Sequence, residues 1–453
     1  MKAKLAEIAR NINGSLIGED REIKSICIDS RQIKSGDLYV AIKGERFDGH
    51  DFIEQAVQDG AVAVVTEKPL EMAIPQLRVN DTRIALADIA GYWRRQLPLK
   101  IAGVTGSNGK TTVKEMIAGI LAVNAPVLST QGNFNNDIGV PLTLLRLQPQ
   151  HQFAVIEMGA NHIGEIAFTS SRVKPDVAVI NNVGPAHLEG FGSLEGIARA
   201  KGELIENLAE DGVAVLNRED EFFDFWTKLA DGHEVVSFGI HQQADVRADN
   251  IRMTVAEEGF VTGFDLLTPS GSLAITLNLA GVHNVKNALA AAAVSLSMGA
   301  DLQQIRQGLA GMKAVNGRLQ TKKGSRGEWL IDDTYNANPA SLKAGLEVLK
   351  LSEKEPWVVL GAFGEMGQDS QQIHTEIGRL IKSMNIVRLL AVGSDARYAV
   401  EAFGSGATFF NTQDDLIKRL QQQISGTEAI LVKGSRSQKM ERVVQALTAT
   451  GGN

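Results

Sequence analysis

At 453 residues, 44% hydrophobic and 22% charged, the chain is an ordinary globular sequence long enough for several domains with sizeable cores, and its composition argues against a disordered protein. The net charge of -7 argues against a nucleic-acid or anionic-membrane partner, although a local basic site could still hold phosphates. The single cysteine, Cys27, excludes an intrachain disulfide and a thiolate metal cluster, and gives no sign of an oxidising compartment.

In chain order, the opening MKAKLAEIARNING lacks the unbroken apolar core of a signal peptide, and no run of 18 apolar residues occurs anywhere. A cytoplasmic enzyme without stable membrane insertion is the simplest class. Residues 1–80 read as a small α/β unit: a helix over 5–10, strands over 23–28 and 38–42, and further elements over 52–59 and 61–66. A helical stretch over 81–97 leads into a strand at 101–104. From there strand patterns (153–158, 177–181, 213–217) alternate with helical ones (110–123, 193–208, 284–298), which implies a mainly parallel sheet covered on both faces. Between 244 and 279, short alternating segments broken at Glu258-Gly259 and Ser270-Gly271 predict added antiparallel hairpins. Residues 314–453 repeat the α/β theme, with strands at 329–332, 357–360, 388–392 and 429–432, as a second doubly wound unit. The expected fold is therefore three-domain α/β: a small unit (1–80), a central P-loop-type unit (81–313) and a C-terminal Rossmann-like unit (314–453).

The segment VTGSNGKTT sits between a strand and a helix. Thr105, Gly106, Ser107, Asn108, Gly109, Lys110, Thr111 and Thr112 would form a cradle of backbone N–H groups at a positive helix end, suited to a triphosphate. Lys110 would reach the outer phosphates and the Thr111 hydroxyl would ligate magnesium. The spacing departs from the usual phosphate-loop pattern, because position 104 is Val and the nearest upstream glycine, Gly103, comes one residue too early. A chance turn of this composition is the alternative.

Ligands in open α/β sheets bind beyond the carboxyl ends of the strands. Glu157 closes the apolar strand FAVIE, where a carboxylate without a cation is costly, so a magnesium ligand is favoured over a structural ion pair. His187, in NNVGPAHLEGFGS, taken alone reads as a hydrogen-bonded structural histidine, and Lys201, in SLEGIARAKGELIENL, as a solvated surface lysine.

Taken together, TGSNGKTTVKEM, GNFNNDIGVPLTLLRL, EMGANHIGEIA, AHLEGFGSLEGIARAKGE, GVHNVKNALAAAA, DDTYNANPASL and LVKGSRSQKME resemble the Mur ligase family along essentially the whole chain. That resemblance implies ATP-dependent joining of an amino acid or peptide to a UDP-sugar peptide through an acyl phosphate. DDTYNANP, with no D-N-P-R motif, is similar to the members that add D-alanyl-D-alanine to UDP-N-acetylmuramoyl-tripeptide. It implies two Mg2+ ions, one at Thr111 and Glu157, the other at His187 and a carbamylated Lys201. Asn135 or Asn136 would line the same region, and Asn284 and Asn287 the adenine side, unless these two merely cap a helix. Arg318 and Asp333 would reach the nucleotide from the third domain, which must then close over ATP bound to the second.

For the UDP-sugar the resemblance points to Ser30, Arg31, Lys43, Gly44, Arg46 and Asp48 in loops of the first domain, any of which could instead be solvated surface. For the incoming dipeptide it points to Tyr335, Asn336, Asn338 and Pro339 with Lys433, Ser435 and Arg436. A monomer is expected, and no nucleic-acid partner. Two rival readings stand beside this one: a sister ligase adding a single amino acid, and a nucleotide switch that grips a partner and hydrolyses nucleotide without making an amide.

Overall fold

The structure is a computed structural model that describes residues 1–44, 47–184, 188–240, 243–256, 259–312, 316–364 and 366–448. Its centre is a nine-stranded sheet. In spatial order the strands are Gly271–Leu277, Gly259–Thr268, Val246–Ala256, Glu234–Gly239, Val213–Asn217, Val177–Ile180, Lys100–Thr105, Phe153–Glu157 and Val127–Ser129. From Val246–Ala256 onward all neighbours run parallel, whereas the first two strands form the expected antiparallel hairpins.

The inner strands read as continuous apolar runs because both faces are covered. Ala102, Val104, Val155, Val179 and Val215 face a layer built on helices Lys110–Leu121 and Val282–Ser297. Ile101, Ala154, Ile156, Ala178 and Leu216 face the opposite layer, with Ile166, Leu204 and Trp226. Ala288, Ala290, Ala291, Ala292 and Ala293 are all buried, and their small side chains let the helix lie close on the sheet. Each fully buried Val or Leu contributes about 1.5–3 kcal/mol, so this slab is a rigid mount for the loops at its edge.

A six-stranded sheet forms the third unit, in the order Gln320–Lys323, Trp329–Asp333, Glu428–Lys433, Glu355–Gly361, Arg388–Val392 and Ala407–Phe410, parallel except for the first strand. The N-terminal unit holds a five-stranded sheet and a two-stranded one. Helix Thr82–Arg95 links it to the centre: Leu86 and Ile89 pack into the first core while Ala90 and Trp93 pack into the second.

The structure revises two predicted elements. The strand expected over 23–28 is two pieces, Glu22–Ile23 pairing with Ala3–Lys4 and Ser25–Cys27 pairing with Asp37–Val40, since its two halves find different partners. The helix expected over 193–208 stops at Gly202 and resumes as a single 3-10 turn, Ile205–Asn207.

Candidate active site

The phosphate-type loop leaves strand Lys100–Thr105 and enters helix Lys110–Leu121 through Gly109, whose φ of +80° is a left-handed value that glycine adopts without strain. Asn182 holds the loop's early part: Ser107 N donates to the Asn182 carbonyl (2.9 Å), Asn108 N to Asn182 Oδ1 (2.8 Å), and the Ser107 hydroxyl to the Gly184 carbonyl (3.1 Å). Asn181 Nδ2 donates both to the Asn108 carbonyl and to Asn287 Oδ1 (2.9 Å each), and Asn287 Nδ2 donates to Asn284 Oδ1 (3.2 Å). This chain of buried amides backs directly onto Gly109, where no Cβ would fit. Lys110 Nζ folds back on the Gly106 carbonyl at 2.6 Å, while the buried Thr105 hydroxyl has no partner.

Glu157 is 2% exposed. Its Oε1 accepts from Asn135 Nδ2 at 2.8 Å, its N–H donates to Thr130 Oγ1 at 3.0 Å, and its buried Oε2 has no partner at all. An orphaned carboxylate oxygen is costly unless a cation completes it. Asn136 has a different task, accepting from Gly139 N at 2.8 Å.

Burial pushes the Lys110 ammonium down in basicity and Arg318 adds repulsion, while Glu157 opposes both. Lys201 is pushed well below the usual lysine range, first by burial, then by repulsion from Lys110, with Asp220 opposing. Glu157, Lys201 and Arg318 therefore surround Lys110 electrostatically. Lys201 is 5% exposed rather than solvated, because its helix packs on Trp226, which is fully buried and donates Nε1–H to the Ala198 carbonyl (3.0 Å). His187 lies outside the described residues. Among the described residues no group of three or more His, Cys, Asp or Glu forms a metal cluster. A hard cation here would need hydroxyl and phosphate oxygens beside Glu157, the donor set that suits magnesium.

The third unit closes this cleft. Arg318 Nη2 donates to Thr111 Oγ1 (3.2 Å), its guanidinium sits 4.4 Å from the Tyr335 ring centroid, and its buried Nε is unpartnered. Asn338 caps helix Pro339–Lys350 with its Oδ1 and donates Nδ2 to Asn108 Oδ1 at 2.7 Å. Two cavities result. One, of ≈ 330 Å³, is lined by Thr112, Asn217, Leu279, His283, Asn284 and Ala344. The other, of ≈ 300 Å³, is lined by Lys110, Asn135, Glu157, Asn161, Tyr335 and Asn336. Asn108, Gly109, Arg318 and Asp333 border both.

The remaining residues singled out in the sequence take varied places. Asp333 is ion-paired with Lys433, which is 1% exposed and also donates to the Asn336 carbonyl (3.1 Å). The Ser435 hydroxyl donates to the Ala362 carbonyl (2.9 Å), and Arg436 pairs with Glu441 at 3.2 Å. In the first unit, Ser30 opens a 3-10 turn, Arg31 pairs with Asp29 (2.8 Å), the Lys43 backbone forms an isolated antiparallel β-bridge with that of Asp48, Gly44 N donates to the Phe47 carbonyl (2.9 Å), and Asp48 accepts from His50 Nδ1 (2.6 Å). None of these lines either cavity, and Arg46 lies outside the described residues. Sequence reasoning missed Asn181, Asn182, Asn217 and Asp220. Their signal is an amide or carboxylate just after an apolar strand, in VAVINN and VAVLNRED.

A glycine loop with a lysine, an uncompensated strand-end carboxylate and a second doubly wound unit closing on both define a multidomain α/β protein built to handle a phosphorylated ligand between domains. Three family descriptions match the chain: the Mur ligase middle domain over residues 104–295, the Mur ligase glutamate ligase domain over 317–436, and the Mur ligase family catalytic domain over 22–94. The chain belongs to the Mur ligase family. It is 44% identical over 450 residues to UDP-N-acetylmuramoyl-tripeptide--D-alanyl-D-alanine ligase of Escherichia coli, covering 99% of this chain and 98% of that protein. Among solved structures it is similar to MurF from Acinetobacter baumannii (TM-score 0.92, 40% identity, 98% of both chains). It is also similar to MurF ligase from Thermotoga maritima in complex with ADP (TM-score 0.84, 28% identity, 93% of this chain and 96% of that one).

Proposed function

We infer that the protein is a ligase of peptidoglycan precursor synthesis that uses ATP to add D-alanyl-D-alanine to UDP-N-acetylmuramoyl-tripeptide. Full-length similarity to the ligase bearing that name supports the substrates. The observation that carries the chemistry is the unpartnered Glu157 oxygen beside a phosphate loop covered by Arg318.

The tripeptide carboxylate attacks the γ-phosphorus of ATP, ADP leaves, and an acyl phosphate remains. The neutral amine of the dipeptide then adds to the activated carbonyl, loses its proton, and phosphate departs as the amide forms. No protein nucleophile takes part; positioning and charge do the catalysis. Lys110 neutralises the oxygens that gain charge, and Arg318 does so from the third unit. Thr111 and Glu157 would hold one Mg2+, and His187 with carbamylated Lys201 a second, supplying further electrostatic stabilisation of the phosphates. Carbamylation needs a free amine to add to carbon dioxide, and the lowered basicity of Lys201 favours that form.

The division of labour follows the three units. Residues 1–80 hold the UDP-sugar through Ser30, Arg31, Lys43, Gly44, Arg46 and Asp48. Residues 81–313 hold ATP, with its nucleoside toward Asn284 and Asn287. Residues 314–453 supply Arg318 and Asp333 and receive the dipeptide near Tyr335, Asn336, Asn338, Lys433 and Ser435. The enzyme is a cytoplasmic monomer in this reading; among the described residues no helix is long and apolar enough to cross a membrane.

The test offers UDP-N-acetylmuramoyl-tripeptide, ATP and Mg2+ with either D-alanyl-D-alanine or single amino acids, and follows phosphate release and product mass. Release with the dipeptide alone is expected. Release only with a single amino acid on a shorter UDP-peptide would reassign the enzyme to a sister step, and acceptor-independent hydrolysis would make it a switch.

A further inference from the structure

The helix that opens with Lys110 carries a second lysine, one turn on, with no place in the mechanism above. Lys114 is fully buried. Its Nζ donates to the Thr130 carbonyl at 2.7 Å and meets the carboxylate of Glu115, which is 41% exposed. Filling the same space with Met or Leu would avoid the desolvation cost of a buried lysine, so the contact with Thr130 asks for a reason.

Thr130 supplies it. It follows the edge strand Val127–Ser129, is fully buried, donates its N–H to the Val155 carbonyl (3.1 Å), and accepts the Glu157 N–H on its hydroxyl (3.0 Å). It is also the root of the loop in which Asn135 donates to Glu157 Oε1 (2.8 Å) and accepts from Gly159 N (2.9 Å). One ammonium thus ties the helix that bears Thr111 to the segment gripping the Glu157 backbone and carboxylate.

We propose that Lys114 is a positioning residue: through the Thr130 carbonyl it fixes the Glu157 carboxylate relative to the Thr111 hydroxyl and so sets the affinity for the divalent cation held there. The proposal rests on the metal reading given under Proposed function. A purely structural lysine would change stability alone, whereas a positioning lysine changes the cation requirement and leaves the phosphate cradle, built by Gly109, Asn181 and Asn182, as it was.

Calorimetric ADP binding to the whole protein, in EDTA and across a Mg2+ series, separates the two. Lys114→Met and Thr130→Val should each bind ADP in EDTA like the wild type. Each should also raise the Mg2+ concentration for half-maximal effect about tenfold or more, the cost typical of losing an outer support of a metal ligand. The double variant should be no worse than the worse single, because both sit on one relay. Thr130→Val keeps the shape of its residue and the contact to Lys114, so it carries the test even if Lys114→Met folds poorly. An unchanged Mg2+ midpoint in Thr130→Val, or in a folded Lys114→Met, would overturn the proposal, as would additive effects. Glu157→Gln is the control: a Mg2+ effect that survives it defeats the metal reading itself, whereas one that it abolishes but Lys114→Met leaves intact defeats only the relay.

Discussion

Replacing Gly109 with Ala concentrates the strain of the phosphate loop at one atom. The residue has φ +80°, and an added Cβ would lie 2.5 Å from Asn181 Nδ2 and against the Asn287 amide oxygen. Neither amide can swing aside freely: Asn181 and Asn287 are 2% and 5% exposed, bonded to each other at 2.9 Å, with Asn181 also bonded to the Asn108 carbonyl. A left-handed backbone costs an L-residue about 1–2 kcal/mol, and leaving a buried amide unpaired costs a further ~1–3 kcal/mol. The total of roughly 2–5 kcal/mol divides between lost stability and a displaced loop, and each ~1.4 kcal/mol that falls on the loop weakens nucleotide binding tenfold. We expect Gly109→Ala to bind ADP with Mg2+ at least about tenfold more weakly by titration calorimetry and to melt at a lower temperature. Unchanged affinity together with an unchanged melting temperature would refute the amide buttress.

Other substitutions address the remaining parts of the site. Glu157→Gln keeps an oxygen able to accept from Asn135 but removes the charge, so ligase turnover should fall about 100-fold or more while ADP binding in EDTA stays near wild type. Arg318→Ala removes the Thr111 contact and the stack on Tyr335, and should lower kcat by about 10–100-fold with little change in the melting temperature of the whole protein. Lys201→Ala should lose activity and regain part of it with added short carboxylic acids; activity left intact without them would dismiss the carbamate. His283 lines the first cavity, and burial lowers it from the usual 6.5 to about 4. As pH falls from 6.5 to about 4, the unfolded chain takes up a proton that folded His283 refuses, so stability is lost across that window. His283→Gln should show a shallower loss in acid denaturation, and an identical slope would contradict the shift.

The phosphate loop and Glu157 were legible because each breaks a local rule: glycines where a helix should begin, and a carboxylate where an apolar strand ends. Lys201 was not, since its burial comes from Trp226, which reaches its helix from a separate segment. Asn338 enters the sequence reading only as a dipeptide candidate in a third-domain loop, and nothing there shows that it bonds with Asn108 across 230 positions. The Asn284 and Asn287 amides are largely spent on Asn181, on each other and on the Ala280 carbonyl, a direction of side chains that periodicity does not encode. Short edge strands such as Val127–Ser129 and Ala407–Phe410 escaped notice because three or four residues carry too little alternation to read.

The central claim is that the tripeptide carboxylate is phosphorylated before the dipeptide amine attacks it. The most direct measurement supplies UDP-N-acetylmuramoyl-tripeptide labelled with 18O in that carboxylate, together with ATP, Mg2+ and D-alanyl-D-alanine, and weighs the released phosphate. An acyl phosphate requires one labelled oxygen to leave with each phosphate, and amide product accompanied by unlabelled phosphate would contradict it.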